Sequence, residues 1–109
     1  MDGVGGLVLL SGPSYIQVVV TPDAPAALKP LLASAIQSEL RILDLGLARI
    51  AERLQAFEKQ YGFTSEEFVQ RFATGKIGES LDSIEWAGEI ETYRRLEGQW
   101  QALQKATLH

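Results

Sequence analysis

Hydrophobic positions between residues 30 and 61 fall on a single helical stripe. Leu32, Ile36, Leu40, Leu43, Leu47, Ile50, Leu54, Phe57 and Tyr61 follow one another in steps of 4, 4, 3, 4, 3, 4, 3 and 4. That alternation keeps side chains on one side of an α-helix. Thirty-odd residues at about 1.5 Å each predict a rod roughly 45 Å long. A narrow stripe on so long a rod must lie against another helix, from the same chain or from a partner. Pro30 would clash with the carbonyl of Ala26 inside a helix, so a kink or the true helix start is expected there. Gly46 lies on the polar side and weakens the helix by about 1 kcal/mol relative to alanine.

A second stripe follows. Trp86, Ile90, Tyr93, Leu96, Trp100 and Leu103 are spaced 4, 3, 3, 4 and 3, over roughly 22 residues of predicted helix. Both tryptophans are expected in the core. Between the two stripes, Gly62 suits the left-handed position that ends a helix. Thr64 or Ser65 is placed to cap a short helix whose apolar face is Phe68 and Phe72. Gly75 and Gly78 break that helix, and Asp82 or Ser83 is placed to cap the next one. The short connection predicts an antiparallel return along residues 40–57, with Phe68 and Phe72 covering the open end.

The start of the chain reads differently. Residues 1–14 contain Gly3, Gly5, Gly6 and Gly12 around Val8, Leu9 and Leu10, a loose or weakly β N-terminal arm. Tyr15–Thr21 is β-branched and aromatic and is closed by Pro22, the best strand in the chain. It pairs either with Val4–Leu10 in a hairpin or with its own copy in a second subunit. Asp23, in the turn that follows, is able to cap a first short helical turn. The expected fold is mainly α: a strand or hairpin, a long helix, a short bridging helix and an antiparallel return helix. Residues 15–109 form one domain, which dimerises.

Composition narrows the function more than it names it. The 109 residues contain no cysteine, which excludes a disulfide scaffold or a zinc–thiolate site and fits a reducing cytoplasm. No apolar run approaches the roughly 20 residues of a membrane span. Asp2 and the short Leu7–Leu10 run do not make a secretory leader. The net charge is −4, and it is unevenly spread. Residues 32–62 and 86–109 are balanced. Residues 63–85 hold five acids, Glu66, Glu67, Glu79, Asp82 and Glu85, against Arg71 and Lys76. An acidic balance argues against broad nucleic-acid binding.

Catalytic chemistry finds no foothold. The single histidine is His109, at the last position, and no serine has a histidine for a triad. The acids of residues 63–85 lack the spacing of a calcium loop. Lys76 sits between Gly75 and Gly78, yet Ile77 follows it where a phosphate loop needs Ser or Thr. No cofactor, metal or catalytic residue is expected. A ribbon–helix–helix DNA-binding regulator is an alternative, with Tyr15, Gln17, Val19 and Thr21 facing the bases, although the strand carries no Arg or Lys; a structural homo-oligomer without a further partner is the other alternative.

The segment from Glu58 to Trp86 carries a resemblance. Tyr61 and Gly62, then Glu67 and Phe68, Arg71 and Phe72, Gly75, Gly78, Asp82, and Glu85 with Trp86 resemble a pattern found in small, mostly uncharacterised prokaryotic proteins. Those proteins look like the antitoxin-side partners of two-gene toxin–antitoxin modules. Family members often carry an Asp pair after the second glycine, where this chain has Glu79-Ser80. The resemblance implies a direct-binding, non-enzymatic interaction protein. The acids Glu66, Glu67, Glu79, Asp82 and Glu85 would then meet a small basic partner, and Leu32, Ile36, Leu40, Leu43, Leu47, Ile50 and Leu54 would serve self-association.

Overall fold

The computed structural model describes the backbone of residues 7–12 and 15–108, and the side chains of residues 17–106. The expectations for residues 1–6, for Pro13 and Ser14, and for His109 lie outside the described residues. The chain is mainly helical. Its order is β1 (Leu7–Gly12), β2 (Tyr15–Val20), α1 (Leu28–Tyr61), α2 (Ser65–Ala73), α3 (Leu81–Gln104) and β3 (Thr107–Leu108). It divides into two compact units: Met1–Asp44 with Glu97–His109, and Leu45–Leu96. Helices α1 and α3 each contribute to both.

The first unit contains the sheet. β1 and β2 are antiparallel, with Leu7 opposite Val20 and Gly12 opposite Tyr15. β3 runs parallel to β2, pairing Gln17 with Thr107 and Val18 with Leu108. β2 is therefore the central strand, in the order β1-β2-β3. Of the two pairings open to the strand the structure has the hairpin, with its partner at Leu7–Gly12 and not at the expected Val4–Leu10, so that Ser11 and Gly12 pair with Ile16 and Tyr15 and belong to the strand and not to the turn. The third strand, contributed by Thr107 and Leu108, has no counterpart in the sequence reading: two residues carry no periodicity.

The turn after β2 corrects one expectation. Asp23 does not cap a helix; its carboxylate accepts the hydroxyl of Thr21, while Ala24 N–H closes the turn on Thr21 O at 3.0 Å. The hydrogen bond from the Thr21 hydroxyl holds the Asp23 carboxyl below its ordinary value. Helix α1 begins at Leu28. Pro30 is thus its third residue, in the first turn, where no intrahelical donor is lost. Ala26 precedes the helix, so its carbonyl is not where a proline ring would strike it, and α1 runs on through residue 30.

The stripe predicted on α1 is the inward one from Leu32 to Phe57, while its last position, Tyr61, is 43% exposed. Leu43 and Ile50 are buried, and Leu32, Ile36, Leu40, Leu47, Leu54 and Phe57 are half-buried. In the second unit the partner is the chain's own α3. Gly46 faces Leu96, Arg53 faces Glu89, Phe57 stacks on Trp86, and Tyr61 meets Asp82. As the first number rises the second falls, which is an antiparallel hairpin. Gly46 is half-buried, against the expectation of a polar-side position. A Cβ there would meet Leu96 Cδ1 at 3.5 Å, an ordinary contact.

The turns of this unit are set by local chemistry. Gly62 has φ 81°, a conformation that costs a side-chain-bearing residue about 1–2 kcal/mol. Its N–H bonds Glu58 O at 2.8 Å. Thr64 caps α2, its hydroxyl accepting Glu67 N–H at 3.1 Å. The first N–H of α2, on Ser65, donates to the Glu58 carboxylate at 2.8 Å, so the end of α1 supplies a cap for α2. Gly75, φ 74°, ends α2, and Lys76 N–H reaches back to Arg71 O at 2.8 Å.

The cap of α3 is a second correction. It is Ser80, and neither Asp82 nor Ser83 holds that place. Ser80 Oγ accepts Ser83 N–H at 3.1 Å, and Ser83 Oγ accepts Ser80 N–H at 2.7 Å. This is a capping box with serine in the reciprocal position. Asp82 is occupied elsewhere, by the hydroxyl of Tyr61.

Candidate functional site: an aromatic core with acidic surroundings

Trp86 is the centre of the second unit. It is 1% exposed, as is Phe68. Phe57 stacks on it at 5.3 Å, Phe63 at 5.5 Å, Tyr61 at 5.7 Å and Phe68 at 4.2 Å between ring centroids. The first comes from α1, Tyr61 from its last position, Phe63 from the turn, and Phe68 from α2. One indole therefore fixes three consecutive elements. Offset aromatic pairs of this kind add about 0.5–1.5 kcal/mol each beyond area burial. The indole N–H is buried as well, and it donates to Ser65 Oγ at 3.0 Å. Ile90 completes the buried cluster, with Leu54, Val69, Phe72, Ile77 and Ala87 packed around it.

The residues of the resemblance pattern converge here, and most have structural tasks. Tyr61, Phe68, Phe72 and Trp86 are ring contacts; among the described residues Gly62 and Gly75 are the two glycines with positive φ. Arg71 lies over the Phe63 ring at 4.5 Å and pairs with Glu67 at 3.3 Å. The Glu67–Arg71 pair is exposed and spaced i, i+4, worth no more than a few tenths of a kcal/mol. Gly78 has open space where a side chain would stand, and its carbonyl accepts the Ser83 hydroxyl at 3.0 Å.

The five acids are placed unequally. Glu67 is taken by Arg71 and Asp82 by Tyr61. Glu66, Glu79 and Glu85 are exposed and form no ion pair among the described residues. Among those residues no three His, Cys, Asp or Glu side chains gather where a cation could be held. Tyr61 itself is shifted: its hydrogen bond to Asp82 raises the phenol above its ordinary value, with burial and the carboxylate charge acting the same way.

Two features escaped the sequence reading. Ser65, weighed there as a cap, is the acceptor for a buried indole; its chain distance from Trp86 hides this. Leu81 and Ile84, three apart on α3, are 82% and 56% exposed. The Ser80–Ser83 spacing was the legible sign of the true cap. No described helix is long and apolar enough to cross a membrane.

Beside Trp86 lies a pocket of about 180 Å³, walled by Tyr61, Phe63, Phe68, Ile77, Ser80 and Ser83 together with the indole. No family model, curated protein or solved structure matches the chain.

Proposed function

We propose that this chain is a non-enzymatic, antitoxin-like interaction module that binds a small basic protein through the surface carrying Glu66, Glu79 and Glu85. The observation that carries the reading is the division of labour in residues 61–86. The aromatic and glycine positions of the pattern build the scaffold, and three of its surrounding carboxylates remain exposed without a partner among the described residues. Unpaired surface acids steer and select a basic partner more than they stabilise a fold. Glu67 and Asp82 have internal partners and serve the surface less directly.

Self-association belongs to the same proposal. The Leu32–Leu54 stripe is buried or half-buried within one chain, whereas Leu31 and Ile42 on α1 are exposed and offer an apolar face to a second copy. The DNA-binding alternative gains no support from the strand, since β2 has β1 on one edge and β3 on the other. A ribbon–helix–helix dimer needs such an edge free for its copy.

The test is a pull-down of the tagged protein from its own cells, compared with Glu66→Lys, Glu79→Lys and Glu85→Lys combined. A stoichiometric basic companion lost in the variant, with unchanged helicity, is the expected result. Equal recovery with both proteins would sink the acidic surface.

A further inference from the structure

The sheet of the first unit ends in a strand with one side unused. β2 is central, with β1 along one side and β3 along the other. β1 pairs with β2 over all six of its residues, Leu7 to Gly12. No strand among the described residues pairs with its other side. Successive residues of a strand direct their N–H and C=O groups alternately to one side and the other. Three of the six residues of β1 therefore direct backbone donors and acceptors away from β2.

Edge strands are ordinarily guarded by charge, by proline or by a bulge. The sequence Leu-Val-Leu-Leu-Ser-Gly contains no charged residue and no proline, and its pairing with β2 runs residue for residue without a bulge. Such an edge is a template for another strand.

The same sheet decides which strand fits. The far side of β2 is taken at Gln17 and Val18 by β3, so a second molecule cannot offer β2 at full length. The strand it can offer whole is β1. Two copies of β1 meeting antiparallel about a two-fold axis normal to the sheet keep every residue on its own face, so positions of equal parity stand opposite one another. An axis at Leu9 sets Leu9 against its copy, Val8 against Leu10 and Leu7 against Ser11. An axis at Leu10 sets Leu9 against Ser11 and Val8 against Gly12 instead. The first register matches apolar with apolar at more positions. It also closes, since the pairing uses the open side of β1 in both copies.

We infer that β1 is a homodimerisation edge, pairing antiparallel about Leu9 with β1 of a second copy to join the two three-stranded sheets into one. The inference goes beyond the proposed function and does not depend on it: the contact lies in the sheet of the first unit, apart from the α1 face, and needs no basic partner.

The test is sedimentation of the full chain over a range of concentrations, with backbone amide exchange measured at both ends of the range. A dimer is expected to form as concentration rises, and alternate amides of Leu7–Ser11 are expected to exchange more slowly in it than in the dilute monomer. Leu9→Lys sets like charges against each other at the axis and is expected to weaken dimerisation about tenfold. Leu9→Glu does the same, and an equimolar mixture of the two variants regains the affinity. Ile42→Lys, on the α1 face, leaves this dimer intact. A wild-type chain that stays monomeric, or a dimer whose β1 amides exchange as they do in the monomer, would overturn the β1 contact whether or not the variants fold. Folded Leu9 variants that do not recover on mixing, or a dimer lost with Ile42→Lys and kept with Leu9→Lys, would overturn it as well.

Discussion

Trp86 and Trp100 lie on the same stripe of the same helix, and their surroundings differ. Trp86 touches four aromatic rings and hands its indole proton to Ser65. Trp100 is half-buried, has no ring partner among the described residues, and its indole N–H is buried without an acceptor. A buried donor left unmade costs about 1–3 kcal/mol. Heptad-like spacing says which way a side chain faces. Whether its polar edge is satisfied depends on a residue far along the chain, and in the second unit α2 supplies that residue. The comparison separates an indole that specifies its unit from one that mainly fills space.

The sharpest way to break this contrast is to remove each ring in turn. Trp86→Ala is expected to cost about 3–5 kcal/mol, the range for large aromatic truncations in cores, and to unfold the second unit at ordinary temperature. Trp100→Ala is expected to cost less than half as much. Urea titrations followed by circular dichroism would read both, and equal losses would abolish the distinction.

Next in size is Ser65→Ala, which gives Trp86 the same orphaned N–H that Trp100 has. A loss of about 1–3 kcal/mol is expected, because the serine's backbone N–H keeps its bond to Glu58. A neutral result would mean that the satisfied indole is not what distinguishes the two sites. The mirror experiment is Trp100→Phe. It removes an unsatisfied donor with modest loss of volume, so stability should change by no more than about 1 kcal/mol in either direction. The same denaturation curves report it.

The smallest effect concerns the Tyr61–Asp82 link beside Trp86. Its raised pKa means that the neutral phenol is the form the fold favours. The link's contribution is therefore complete below the ordinary tyrosine range, near pH 10, and is lost as pH rises through the raised value. Following phenolate absorbance with pH, Tyr61→Phe should delete the component that titrates above that range. An unchanged high-pH limb would place the late-titrating group elsewhere.

Much of the second unit could be read locally. The inward positions of α1 and α3, the left-handed Gly62, the Thr64 cap and the Phe68–Phe72 face each follow from spacing or from one residue's backbone preference. The convergence of rings on Trp86 could not be read that way. It depends on three elements meeting in space, and the sequence offers only their separate faces. Asp23 and Asp82 show a related limit: both are good capping residues, and both are claimed by hydroxyls, of Thr21 and Tyr61. Capping preference decides between candidates only when no stronger local partner competes. For the acidic residues, composition revealed the excess of charge, while the structure was needed to see which carboxylates already have partners.

The parallel pairing of β2 with β3 has a consequence for the order of folding. Gln17 and Thr107 are about 90 residues apart, so bringing them together costs on the order of 4 kcal/mol in loop entropy if nothing else has formed. The ring cluster joins residues much nearer in sequence, and the β1–β2 hairpin nearer still. The ring cluster lies inside the 17–107 loop and shortens it before the last strand must close it, whereas the hairpin lies outside that loop and only presents the β2 edge. The two backbone pairings at Thr107 and Leu108, which close the longest span of chain among the pairings described, are expected to form last and to be released first, which amide exchange at those two residues would read.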